Sequence, residues 1–149
     1  MKNFLIIEDD SFKSDALSTF VKSLFENITI TSATDVVSAI KIINDASFDL
    51  IIIDMALPSH PIVSGGGAPM SLLTGGLEVL LELHSIDRND KCVIVTQYSD
   101  IEIAGKLYGL KHAAKAIREF ISCEVISCIQ YIQDSPEWKK ELTKVLKLL

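Results

Sequence analysis

The chain has 149 residues, of which 48% are hydrophobic and 23% are charged, and its formal net charge at pH 7 is −6. This length and composition indicate one globular domain and argue against a disordered chain. The acidic balance argues against direct nucleic-acid binding, because phosphate recognition needs a basic surface.

The cysteines and the start of the chain indicate the cellular compartment in which the protein is expected. Three cysteines without CxxC spacing predict neither a disulfide framework nor a zinc site, so a reducing compartment is expected. The chain begins with a strand-like segment instead of a signal peptide, and no apolar run approaches the length of a membrane span. We therefore expect a cytoplasmic protein with no membrane partner.

Strand and helix signals alternate in the first half of the chain. Residues 4–7 predict a buried strand, and the apolar spacing over 12–25 predicts a helix. Period-2 alternation over 28–33 predicts a second strand, and 34–45 predicts a helix that opens on a capping residue. Residues 49–53 predict a third strand, and the apolar run at 50–53 is typical of a strand that is buried on both faces.

A segment rich in Gly, Ser and Pro then interrupts this rhythm. It predicts an inserted loop at about 59–75, which is long for a compact domain and therefore functional or mobile rather than incidental. Helical periodicity returns over 76–83, and 91–96 predicts a further buried strand.

The assignment of the fifth strand is the hardest step. Residues 99–109 predict a helix that ends at Gly109. Residues 111–117 and 124–132 then compete for the strand, and a helical stripe over 117–133 favours the first. The last segment, 134–149, predicts an amphipathic helix.

These elements predict an α/β fold of the flavodoxin-like, doubly wound type. We expect a five-stranded parallel sheet in the order 2-1-3-4-5 with helices on both faces. The main domain is predicted to span residues 1–133, and residues 134–149 form an additional C-terminal helix.

An aspartate follows the predicted third strand. Asp54 comes directly after residues 50–53 and four positions before Pro58. The carboxyl ends of strands in an open α/β sheet are where ligands bind, which makes a site plausible there. The alternative interpretation is that Asp54 only ends the strand in a turn, because aspartate readily bonds its own nearby backbone.

Further polar residues follow the first and fourth strands. Glu8, Asp9 and Asp10 come directly after the first strand, and Thr96 ends the fourth. In the predicted strand order these ends lie beside Asp54, so the carboxylates would converge. Converging carboxylates with oxygen ligands favour Mg²⁺, although acids at the start of a helix also serve as caps.

Four motifs resemble those of the receiver domains of two-component response regulators. They are "LIIEDD", "IIIDMALP", "GGLEVL" and "VIVTQYSD", and the resemblance covers the chain to about residue 133. It implies a domain whose aspartate accepts a phosphoryl group from the histidine of a kinase.

The resemblance also implies roles for individual residues. Asp54 is the phosphoacceptor, and Thr96 bonds the phosphoryl group. Glu8, Asp9 and Asp54, together with the backbone carbonyl of Ala56, hold Mg²⁺. These roles agree with the chemistry, because a carboxylate is a competent nucleophile and phosphoryl transfer depends mostly on positioning and electrostatics.

The resemblance further implies a lysine close to the end of the fifth strand. Lys115 lies 19 positions after Thr96, near the family's usual spacing, although Ala116 follows it where the family typically has proline. An alignment that places Ser135 there needs about double that spacing, so Lys115 is favoured. The alternative is that Lys115 is an ordinary exposed lysine of a helix.

The functional hypothesis is an Mg²⁺-dependent phosphoacceptor that relays a two-component signal. A histidine kinase or a histidine phosphotransfer protein would be the donor. We expect no effector domain after the last helix, so output would pass through a downstream protein, a further phosphotransfer or a homodimer. At most, the protein would catalyse its own phosphorylation and dephosphorylation. The alternatives are a pseudo-receiver that is never phosphorylated and acts through protein contacts, and a flavodoxin-like cofactor binder.

Overall fold

A computed structural model of the protein describes residues 1–61, 71, 72 and 74–149. Most of the predicted inserted loop (59–75) lies outside the described residues. The elements in chain order are β1 (Lys2–Ile7), α1 (Ser11–Leu24), β2 (Ile28–Ala33), α2 (Val36–Asp45), β3 (Leu50–Ile53), β4 (Leu57–Pro58), β5 (Ser71–Leu72), α3 (Gly75–Ser85), β6 (Cys92–Thr96), β7 (Asp100–Ile103), β8 (Lys106–Gly109), α4 (Leu110–Ile121), β9 (Val125–Gln130) and α5 (Glu137–Leu146).

Five parallel strands form the central sheet in the order β2-β1-β3-β6-β9. This confirms the predicted fold class and strand order. Ile7 pairs with Ile53, and Ile53 pairs with Ile94, so the carboxyl ends of β1, β3 and β6 meet at one edge. Ligands bind at this edge in doubly wound sheets, which makes the residues just beyond these strands the place to look for a site.

The sheet is buried on both faces because its strands are apolar at successive positions. Alternate residues point to opposite sides, so Leu5 and Ile51 lie on one face while Phe4 and Ile52 lie on the other. Helices α2, α3 and α4 cover the first face, and α1 and α5 cover the second. Trp138 and other apolar residues of α5 belong to the same core as α1, so the predicted C-terminal helix packs directly on the sheet.

The prediction of a helix over residues 99–109 is wrong. This segment forms an antiparallel hairpin of β7 and β8, whose two-residue turn has positive φ at both Ala104 (52°) and Gly105 (80°). Such a turn matches the twist of paired strands. Along β7, Ile101 and Ile103 are buried whereas their neighbours are exposed, which is the period-2 pattern of a strand.

The predicted fifth strand over 111–117 and the predicted helix over 117–133 are also wrong. Residues 110–121 form α4, and the fifth strand is β9 at 125–130. Helix α4 ends where Ser122 adopts a left-handed conformation with φ 58°. The hairpin therefore places the last strand later in the chain than predicted, while the order of the sheet is as predicted.

Arg88 links the segment before β6 to the end of α2. Its guanidinium binds both carboxylate oxygens of Asp90 at 2.8 Å and donates to the carbonyls of Ile43 and Ala46, each at 2.8 Å. Burial opposes ionisation of Asp90, but hydrogen bonds from Arg88 and from the Phe48 N–H lower its pKa overall.

Among the helices that the described residues form, none is both long and apolar enough to cross a bilayer.

Candidate functional site

Three carboxylates meet at the edge where β1 and β3 end. Glu8, Asp9 and Asp54 each offer an oxygen, and these oxygens all lie within 4.8 Å of one another. Glu8 and Asp54 are each 3% exposed, whereas Asp9 is exposed to solvent. The structure therefore brings together the three carboxylates that the sequence singled out.

Asp54 is held by its own backbone surroundings. Its N–H donates to the Ile7 carbonyl at 3.0 Å, and its carboxylate Oδ1 accepts from the Met55 N–H at 2.8 Å. The start of α3 packs against this segment at Gly76, where an added Cβ would lie 2.7 Å from the Asp54 carbonyl oxygen. A glycine is therefore required for this close approach, because real Cβ atoms do not come so near.

Glu8 is a buried carboxyl group in an acidic setting. Its Oε1 accepts from the Asp10 N–H at 3.2 Å, and its Oε2 lies 2.8 Å from Lys13 Nζ. Burial raises the pKa of Glu8 to about 8; Lys13 acts against this shift, and the nearby charge of Asp54 adds to it. Ionised Glu8 therefore needs additional positive charge.

Lys13 reaches into the site from the first turn of α1. It is 2% exposed, and its ammonium donates to the Val95 carbonyl at 2.7 Å. The same nitrogen lies 2.8 Å from Glu8 Oε2 and 3.4 Å from Asp54 Oδ2. A buried ammonium with these neighbours is compensated, because it has a hydrogen-bond acceptor and two opposite charges within reach.

The other predicted residues occupy different parts of the edge. Thr96 is fully buried at the end of β6, and its hydroxyl accepts from the Tyr98 N–H at 3.4 Å. It lies on the strand next to β3, two positions beyond Ile94, which pairs with Ile53. Ala56 lies in the buried segment that follows Asp54.

Lys115 does not lie at the end of a strand. The prediction put it near the end of the fifth strand, but the structure has it within α4, exposed beside Tyr108 and His112. The end of the true fifth strand carries Gln130, with Tyr131 next to it. The premise for giving Lys115 the lysine role is therefore wrong, because the hairpin before α4 shifts the fifth strand.

The motifs alone do not point to Lys13, although the sequence holds a signal for it. Lys13, Leu17 and Val21 recur at steps of four on the buried side of α1. Residues four apart lie on one face of a helix, so a lysine in register with two core residues faces the sheet. A charge in such a position requires a buried partner.

The carboxylate cluster fits a divalent cation. Its donors are all oxygens, which Mg²⁺ prefers. Glu8 Oε2 faces the Lys13 ammonium at 2.8 Å but accepts no well-aligned hydrogen bond from the described residues, so this buried oxygen can still act as a ligand for a cation. When Glu8, Asp9 and Asp54 are all ionised, Lys13 offsets one of the three negative charges and leaves two, the charge of Mg²⁺.

Comparisons with known proteins agree with this geometry. The family model of the response regulator receiver domain matches residues 4–118. The Detocs response regulatory protein DtcB of Vibrio alginolyticus is 32% identical over 146 residues, covering 96% of this chain and 98% of that protein.

Two solved structures have a similar fold. Response regulator TrrA of Thermotoga maritima, in complex with Mg²⁺ and BeF, has a TM-score of 0.65 and 21% identity, and the match covers 100% of both chains. A chain of the CheX-CheY-BeF3-Mg²⁺ complex from Borrelia burgdorferi has a TM-score of 0.66 and 19% identity, covering 99% of this chain and 88% of that one.

Proposed function

This chain belongs to the response regulator receiver domain family, and from that premise we propose that Asp54 accepts a phosphoryl group in an Mg²⁺-dependent reaction. The observation that carries the proposal is the convergence of Asp54 with Glu8 and Asp9 at the carboxyl edge of the sheet. Two structural relatives bear Mg²⁺ with a beryllofluoride group, which supports the same chemistry here.

Each residue of the site has a defined task in the reaction. One carboxylate oxygen of Asp54 attacks the phosphorus of a phosphohistidine, a new P–O bond forms, and the bond from phosphorus to the imidazole nitrogen breaks. The Met55 N–H holds the Asp54 carboxylate in a fixed orientation. Such positioning lowers the barrier because the reacting groups are already aligned.

Glu8, Asp9 and Asp54 would hold the metal, with the backbone carbonyl of Ala56 as a further ligand. When bound, Mg²⁺ supplies positive charge that stabilises the phosphoryl oxygens. Thr96 is the last residue of the adjacent strand, and its hydroxyl donates to a phosphoryl oxygen once Asp54 is phosphorylated. The donor is a histidine kinase or a histidine phosphotransfer protein, and the recipient of the signal is a downstream protein.

Intact-mass measurement tests the proposal. The wild-type protein is incubated with acetyl phosphate and Mg²⁺, and the Asp54→Asn variant is treated in the same way. We expect one phosphoryl group on the wild type and none on the variant or on wild type with EDTA. An adduct that persists in the variant, or no adduct on a folded wild type, contradicts the proposal.

One observation favours a second candidate function. The ammonium of Lys13 already lies beside Glu8 and Asp54, where it neutralises part of their charge without a metal. A pseudo-receiver that acts only through protein contacts would need no more than this. That candidate predicts no Mg²⁺-dependent adduct on a folded protein, so the same mass measurement separates the two functions.

A further inference from the structure

The cation that would bind the phosphoryl group comes from an unexpected element. We propose that Lys13 on α1, and no residue of the last strand, binds the phosphoryl group carried by Asp54. This inference rests on the proposed function, because it needs a phosphorylated Asp54. Three sets of observations support it.

The first is the position of every basic side chain. The 14 lysines and arginines all lie within the described residues, because 62–70 and 73 contain neither type. Among the described residues, Lys13 is the only lysine or arginine that forms an ion pair with Asp54. Its distance to Asp54 Oδ2 is 3.4 Å, so a phosphoryl group on this carboxylate would lie close to the ammonium.

The second is what stands at the end of the last strand. Gln130 is exposed there, and its amide donates to the Gln97 carbonyl at 3.2 Å. Tyr131 follows, and its N–H donates to the Thr96 carbonyl at 2.7 Å, which fixes Tyr131 beside Thr96. The Tyr131 ring centre is 5.6 Å from Lys13 Nζ, so an aromatic ring flanks the ammonium.

The third is how Lys13 is held. Asp10 caps α1 by accepting from the backbone N–H of Phe12 and Lys13, which fixes the first turn of the helix. The bond to the Val95 carbonyl occupies one of the three N–H groups of the ammonium and leaves two for anionic partners. Glu8 Oε2 and Asp54 Oδ2 lie 2.8 Å and 3.4 Å from the same nitrogen, so both carboxylates are within reach of these groups.

Phosphorylation would therefore change the partner of Lys13 but not its anchor. The bond from phosphorus to the donor nitrogen breaks as the bond to the Asp54 oxygen forms, and Lys13 keeps its proton throughout. Its bond to the Val95 carbonyl remains, while the phosphoryl oxygens replace Asp54 Oδ2 as the facing anion. A charge-assisted hydrogen bond of this kind is among the strong ones in proteins.

The test measures beryllofluoride affinity by calorimetry at saturating Mg²⁺. Lys13→Met removes the charge but keeps the length of the side chain. We expect it to weaken beryllofluoride binding about 10- to 100-fold, the loss of one charged hydrogen bond, while Mg²⁺ binding is not weakened. Lys115→Met is the matched control, and its affinity should equal that of the wild type.

A relocation variant separates phosphoryl binding from simple charge neutralisation. Adding Tyr131→Lys to Lys13→Met places a lysine directly after the last strand, at a position whose native ring centre lies 5.6 Å from Lys13 Nζ, and we expect beryllofluoride affinity to recover. If Lys13→Met binds beryllofluoride within twofold of the wild type, the inference is overturned and Lys13 only neutralises the buried carboxylates. If the wild type binds no beryllofluoride and acquires no Asp54 adduct, the proposed function fails as well.

A measurement on the wild type covers the case in which Lys13→Met does not fold. The ammonium ¹⁵N resonance of Lys13, assigned by its loss in Lys13→Arg, should shift when beryllofluoride is added to the Mg²⁺-loaded protein. A resonance that stays in place while beryllofluoride binds contradicts the inference.

Discussion

Replacing Glu8 with glutamine should remove a pH dependence from the stability of the metal-free protein. Burial raises the pKa of Glu8 from 4.5 to about 8. Between these values the folded state retains a proton that the unfolded state has released, so folding is favoured by low pH. The contribution is fully present below pH 4.5 and is lost as the pH rises through 8.

The magnitude follows from the number of protons. One extra bound proton in the folded state changes the free energy of unfolding by about 1.4 kcal/mol per pH unit. Across the window set by Glu8, the difference between wild type and Glu8→Gln should therefore change by roughly 4 to 5 kcal/mol. The variant retains an oxygen that accepts from the Asp10 N–H, so the comparison mainly isolates ionisation.

Urea unfolding in EDTA, repeated from about pH 5 to about pH 8, covers most of this window and should show a change of roughly 3 to 4 kcal/mol in that difference. Glu141→Gln is the control, because it makes the same chemical change at an exposed carboxylate that pairs with Lys144 on α5. Mg²⁺ should flatten the wild-type curve, since the metal favours the ionised form of Glu8. Parallel curves for wild type and Glu8→Gln in EDTA would refute the reasoning.

Two further substitutions test how the site and the fold are held together. Gly76→Ala places a Cβ 2.7 Å from the Asp54 carbonyl oxygen and should cost about 1 to 3 kcal/mol in urea unfolding, whereas Gly109→Ala, with 3.8 Å to its nearest atom, should cost far less. Equal costs would contradict the close packing at the start of α3. Arg88→Ala should cost about 1 to 3 kcal/mol, because it removes the ion-pair partner of a largely buried carboxylate and the donor to two carbonyls. Lys140→Ala, from an exposed pair, should change the free energy of unfolding by no more than about 0.5 kcal/mol. Similar values for the two variants would show that the Arg88 contacts contribute little.

Most of the sheet was predictable because its strands carry the strongest patterns. Residues 50–53 are four apolar residues in a row, and 28–33 alternate with period 2. Each is followed or preceded by a helical stripe, so the chain order implied the parallel topology. The convergence of the acidic residues could also be predicted, because the strand order places the ends of the first and third strands side by side.

The region after Thr96 was not predictable by periodicity alone. Ile117 and Ile121 belong to α4, whereas Val125 and Ile129 belong to β9, yet the four are spaced at helical steps. The break between the two elements is a serine in the left-handed conformation, where glycine would be the usual signal. Two different periodic patterns therefore joined into one false helix.

The hairpin of β7 and β8 was hard to predict because of the residues in its turn. Alanine at positive φ is uncommon, so the Ala104–Gly105 pair does not stand out as a hairpin turn in the way that Asn-Gly does. The hairpin also explains the wrong position predicted for the lysine of the fifth strand. The spacing from Thr96 to Lys115 assumed one helix between the fourth and fifth strands, whereas the structure has β7, β8 and α4 there. The contact between Lys13 and Asp54 could not be predicted without knowing that the buried face of α1 packs toward Asp54.

The most direct test locates the modified side chain. After reaction with acetyl phosphate and Mg²⁺, borohydride reduces an aspartyl phosphate to homoserine, and peptide mass spectrometry identifies the position. We expect homoserine at residue 54 alone, and none when Mg²⁺ is omitted. Homoserine at residue 9 or 10 instead, or its absence from residue 54 of a folded and Mg²⁺-loaded protein, would contradict the assignment of Asp54 as the phosphoacceptor.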